Sequence, residues 1–145
     1  MDLQLAGKTA LVTGGSRGIG RAIARSLAGE GVRVAVCART AEAVAATAER
    51  LSSETGSKVV GIAADMGSHE QIVALVDRVN DELGRVDILV NNAATAAGRV
   101  APPTLANLTR DALINEIDIK VLGYLFAAQA VAPAMREVGW GRIIN

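Results

Sequence analysis

The stretch Thr13-Gly14-Gly15-Ser16-Arg17-Gly18-Ile19-Gly20 decides how this chain is read. It follows a short apolar run, Thr9 to Thr13, and opens a segment with helical spacing at Ile19, Ile23 and Leu27. Glycines at a strand-to-helix turn remove Cβ atoms and permit positive φ, so backbone N–H groups can come close to a pyrophosphate. The helix N-terminus adds unpaired donors and a partial positive charge. Gly20 is expected to let the helix lie close against the strand. Turns are glycine-rich in any case, so a plain turn is the alternative. The position inside a βαβ unit favours a nucleotide site. The spacing is Gly-x-x-x-Gly-x-Gly, distinct from Gly-x-Gly-x-x-Gly.

Outward from this turn, apolar runs alternate with helix-like stretches. Val32 to Cys37 reads as a second strand, Ala41 to Leu51 as an Ala-rich helix and Lys58 to Ala63 as a third strand. Ser68 with Gln71 matches a capping box, and Ile72, Leu75, Val76 and Val79 form the stripe of the helix it opens. Gly84 suits its end. Val86 to Val90 is a fourth strand, and a loop with Gly98, Pro102 and Pro103 follows it. A long helix runs from about Thr109 to Glu137, with Pro133 expected to end or kink it. Arg142 to Asn145 begins a fifth strand. Such alternation predicts an α/β fold: a doubly wound, Rossmann-like parallel sheet of about five strands, helices on both faces. The short, continuous apolar strands suit burial on both faces.

Composition excludes several functions. Lys plus Arg and Asp plus Glu balance at 15 each, which gives no basic stripe for nucleic acid. One cysteine, Cys37, allows no internal disulfide or Cys-rich zinc site, and one histidine, His69, leaves little for a metal or a Ser-His pair. Charge is expected to interrupt every apolar stretch before membrane-spanning length. The N-terminus carries no basic-then-apolar export signal, so a cytoplasmic setting is expected. Cys37 reads as an inert strand residue, and Asp87 as fixing the entry of the fourth strand.

Thr13 to Gly20 resembles the TGxxxGIG motif of the short-chain dehydrogenase/reductase family. Asn91-Asn92-Ala93-Ala94 resembles its NNAG motif after the fourth strand, and Asp65 its adenine-contacting aspartate after the third. The motifs stand in the family's order along the whole chain. The resemblance implies a dinucleotide held by Gly14, Ser16, Arg17, Gly18, Ile19 and Gly20. Asp65 and the Met66 N–H are expected at the adenine, with a helix-start aspartate as the plain reading of Asp65. The backbone of Asn92 and Ala93 is expected beside the nicotinamide ribose, whereas Asn91 ties strands together. Ala94 replaces the usual glycine, and its Cβ is expected to crowd the backbone or restrict φ.

After the second strand the chain reads Cys37-Ala38-Arg39-Thr40, with no acid to bind a ribose 2′-OH. Arg39, with Arg17 beside it, suits a 2′-phosphate, so NADP(H) is expected over NAD(H). A solvated loop arginine is the alternative.

The family's chemistry is hydride transfer between nicotinamide and a carbonyl or alcohol substrate. A Tyr-x-x-x-Lys pair, a serine after the fifth strand and an asparagine in the long helix assist it. Tyr124, the sole tyrosine, is followed four residues on by Ala128, and Lys120 occupies the asparagine's position. Residues 1–145 are therefore expected to form an incomplete Rossmann-type domain, the cofactor-binding part of an NADP-dependent oxidoreductase, inactive alone. The alternative is a non-catalytic nucleotide-binding or interaction module. The resemblance also implies a homodimer or homotetramer through the long helix.

Overall fold

The computed structural model describes residues 3–94 and 104–145. The loop with Gly98, Pro102 and Pro103 lies outside the described residues. Five parallel strands, β1 (Thr9–Thr13), β2 (Arg33–Ala38), β3 (Val59–Ala63), β4 (Ile88–Val90) and β5 (Arg142–Ile144), form one sheet in the order β3-β2-β1-β4-β5. The order reverses direction at β1, so the crevice of a doubly wound sheet opens at the carboxyl ends of β1 and β4.

Alternation along the strands builds two cores. Ala10 and Val12 of β1, with Val34 and Val36 of β2, face α1 (Gly18–Gly29) and α2 (Ala41–Thr55). Leu11, Ala35 and Cys37 point the other way, toward α3 (His69–Leu83) and α5 (Gly123–Glu137). Helices thus cover both faces. The residues read as the α3 stripe, Ile72, Leu75, Val76 and Val79, are all buried. β5 forms one edge of the described sheet and is exposed along its length.

The long helix departs from its reading. It runs as α4 (Arg110–Ile117), a π turn at Asp118–Leu122, and α5. Pro133 does not end it, because α5 continues to Glu137. The irregularity sits instead at the π turn, where Gly123 packs against the loop after β3. A Cβ on Gly123 would stand 2.3 Å from the Met66 carbonyl oxygen. Residues 110–137 are long and apolar enough to cross a bilayer by length and composition, yet charge interrupts them as expected, because the uncharged run 121–135 between Lys120 and Arg136 is shorter than the ~20 residues of a span. One face nevertheless enters the α3 core through Ala127, Val131 and Met135.

The capping box at Ser68 is half formed. The Ser68 hydroxyl accepts from the Gln71 N–H, but the Gln71 side chain accepts from the Asp65 N–H instead of returning to Ser68. Asp87 holds the sheet as read. It accepts from the Thr9 N–H at 3.0 Å and pairs with Arg85. Cys37 is fully buried, and burial pushes its thiol up to about 12. His69 lies against Phe126, ring centroids 4.3 Å apart.

Candidate functional site

A cleft of about 670 Å³ lies at the carboxyl ends of the strands, within the ~300–1,000 Å³ typical of small-molecule sites. Its floor is the glycine-rich turn, and the turn's glycines have different tasks. Gly20 is buried, and a Cβ there would stand 2.3 Å from the Gly14 oxygen and 2.4 Å from the Asn92 amide nitrogen. Gly20 therefore lets the turn close on itself and on the loop after β4, more than on the strand. Gly18 has φ +53° and nothing within 4 Å of where its Cβ would be. That open side is where an anion can reach the backbone.

The N-terminus of α1 is left unfilled. Arg17 occupies the cap position without a side-chain cap, and the first turn carries no acid. Its free N–H groups and dipole face the cleft, the requirement for holding a phosphate. Arg17 and Arg39 are exposed on the cleft wall, and their guanidinium groups make no hydrogen bond or ion pair with another described residue. Ile19, also 74% exposed, stands beside them as an apolar wall.

Every residue named for the site, from Gly14, Ser16 and Gly18 through Arg39, Asp65 and Met66 to Asn92, Ala93 and Ala94, lines this one cleft. Hydrogen bonds within the cleft wall fix several of these residues. The Asn92 and Ala93 N–H groups are held, both at 3.0 Å, by the Thr13 hydroxyl, which fixes this backbone at the cleft. The Asn92 amide donates to the Thr13 and Gly14 carbonyls and fastens the turn. The Ala93 carbonyl receives the Tyr124 hydroxyl at 2.8 Å. Ala94 is exposed and has no positive φ. One oxygen of Asp65 accepts from the Gly67 N–H, which shapes the loop. Asn91 donates to the Asn145 side chain and joins β4 to β5, as read.

Sequence reading missed Thr47 and Ile119. Thr47, on α2, donates to the Ser16 carbonyl at 3.1 Å and so braces the turn from another element. Ile119 enters the cleft wall from the π turn. Neither lies in a local motif. Its neighbour Lys120 does not line the cleft and pairs with Glu116 at 2.8 Å. Burial raises the pKa of Tyr124, against a smaller lowering by Lys120, which keeps the phenol protonated.

Residues 8–145 match the family model described as short chain dehydrogenase. The chain is 43% identical to a sorbitol dehydrogenase from Cereibacter sphaeroides, over 99% of this chain and 53% of that protein. Its fold is similar to L-sorbose reductase from Gluconobacter frateurii, solved with NADPH and L-sorbose. The TM-score is 0.90 and the identity 33%, over 99% of this chain and 53% of that one. A metagenomic short-chain oxidoreductase solved with NADP matches with a TM-score of 0.86 and 34% identity, over 97% and 62%. The chain spans about half the length of the curated relatives it matches.

Proposed function

The chain belongs to the short chain dehydrogenase family, and on that premise we propose that its cleft holds NADP(H) in preference to NAD(H), in an enzyme reducing a small carbonyl or oxidising the corresponding alcohol. The observation that carries the preference is the pair of uncommitted cations, Arg17 and Arg39, on a cleft wall with no acid after β2. A carboxylate there would repel a 2′-phosphate, whereas guanidinium groups pair with one.

The residues fit such a ligand. The open side of Gly18 and the uncapped start of α1 would hold the pyrophosphate. Asp65 and Met66 would meet the adenine. Asn92, Ala93, Ala94 and Ile119 would wall the nicotinamide end, with Thr13 and Tyr124 keeping that loop rigid. When bound, the nicotinamide supplies or accepts the hydride. These 145 residues contain no Tyr-x-x-x-Lys pair, and Tyr124, occupied by Ala93, is not a proton donor to a substrate. We therefore assign them binding without turnover. The sugar-alcohol and ketose relatives support a small polyhydroxy substrate for the whole enzyme.

The apolar steps Leu113, Ile117, Val121 and Leu125, spaced four apart and exposed, support a homodimer or homotetramer through α4 and α5. Sedimentation of a clean monomer at micromolar concentration would count against it.

Fluorescence titration with both cofactors tests the central reading. NADPH should bind about tenfold or more tightly than NADH, and Arg39→Ala should erase the difference. Tighter NADH binding, or an unchanged preference in the variant, would overturn it.

A further inference from the structure

A second cluster of charge lies at the opposite end of the sheet. Lys8 immediately precedes β1, Arg33 begins β2, and Arg85 lies just ahead of β4. These three strands are neighbours in the sheet, with Thr9 opposite Arg33 and Asp87 bonded to Thr9. Parallel register therefore gathers three cations at one edge. They line a cavity of about 250 Å³ together with Ala6, Gly7 and Asp87. No residue is shared with the cofactor cleft, which lies roughly 16 Å away across a five-residue strand.

The charges there are not balanced internally. Both oxygens of buried Asp87 are engaged, one by Arg85 and one by the Thr9 N–H. Arg33 uses one terminal nitrogen on the Gly7 carbonyl at 3.0 Å. Its guanidinium reaches across β1 toward the turn before Arg85: both terminal nitrogens lie 3.9 Å from where a Cβ on Gly84 would stand. Lys8 has no ion pair among the described residues, and its ammonium sits 4.3 Å from the Trp140 ring centroid. The Arg142 guanidinium shares that indole at 4.9 Å. The indole faces attract both cations without neutralising either charge. The cavity is below the usual size of an organic ligand pocket, which suits a single oxyanion group.

We infer that Lys8, Arg33 and Arg85 form a second binding site, for a phosphate-type oxyanion, at the N-terminal edge of the sheet. The ligand is free phosphate or the phosphate group of a small metabolite. Lys8 and Arg33 supply the uncommitted donors, and Arg85 neutralises Asp87 so that the carboxylate does not repel the ligand. The site is independent of the cofactor reading.

Site-resolved amide NMR of the full chain tests it, by titration with inorganic phosphate and with glycerol 3-phosphate at low salt. Saturating shifts are expected at Gly7, Lys8, Gly84 and Arg85. Tighter binding of the ester would identify a phosphorylated metabolite, and equal or weaker binding would identify the free ion. The double variant Lys8→Gln/Arg33→Gln should weaken binding about tenfold or more, and Lys58→Gln, outside the cavity, should leave it unchanged. Arg33→Lys, which keeps the charge, guards against a fold defect in the double variant and should retain part of the affinity. Shifts confined to Gly18–Gly20, unsaturated drift, or equal affinity in wild type and the double variant would each overturn the proposal.

Discussion

Helices α1 and α3 each follow a strand of the same sheet, yet their N-termini are finished in opposite ways. At α3 the Ser68 hydroxyl accepts from the Gln71 N–H, Glu70 complements the dipole, and Gln71 folds back onto the Asp65 N–H. At α1 nothing comparable is present: Arg17 provides no side-chain cap, the first turn has no acid, and the Gly18 side is open. A missing cap costs about 1 kcal/mol. The sequence leaves that stabilisation unused where the cleft lies and takes it where the helix is only structural. The difference separates donors reserved for a ligand from donors consumed by the fold.

Three substitutions can break or sharpen that contrast. Gly20→Ala should have the largest effect. Its Cβ would meet the Gly14 carbonyl at 2.3 Å, a backbone atom with no room to withdraw. Overpacking of this kind costs about 1–3 kcal/mol, so the melting temperature and NADPH binding should fall together. Gly18→Asp should separate the two properties. Its side chain enters open space, and the dipole gain of about 0.3–1 kcal/mol partly offsets strain of about 1–2 kcal/mol at positive φ. Stability should fall by less than about 2 kcal/mol, while a carboxylate facing the phosphate should weaken NADPH binding about tenfold. Ser68→Ala should be the smallest and the converse, with about 1 kcal/mol lost in denaturant melts and NADPH affinity within about twofold. If Ser68→Ala weakened binding as much as Gly18→Asp, the two termini would not have separate tasks.

Most of the fold was legible because its signals are local. The stripe Ile72, Leu75, Val76 and Val79 depends on spacing along one helix, and the apolar strands on runs of a few residues. The cleft was legible for the same reason: its glycine turn, Arg39, Asp65 and Asn92 each follow a strand end, and a parallel sheet brings its carboxyl ends together. Pro133 was read by its local rule as an end or a kink; it is not an end, because core contacts of Ala127, Val131 and Met135 on both sides of it carry α5 onward. The π turn had no sequence signal. It lies where Gly123 must accommodate the Met66 carbonyl, a contact between segments far apart in the chain.

The sequence by itself determined the alternation of strands and helices, the anion-ready start of α1 and the absence of an acid at Ala38, the end of β2. Each rests on residue type and short-range spacing, which backbone geometry converts directly into structure. Only the tertiary structure decided which donors stay free. Thr13 consumes the Asn92 and Ala93 N–H groups from a distant strand, Thr47 braces Ser16 from α2, and Tyr124 occupies the Ala93 carbonyl from α5. The sheet order makes these partners neighbours, because β1 lies between β2 and β4 and β4 lies beside β5. A hydrogen-bonding group far apart in sequence from its partner is committed only when that order is assembled.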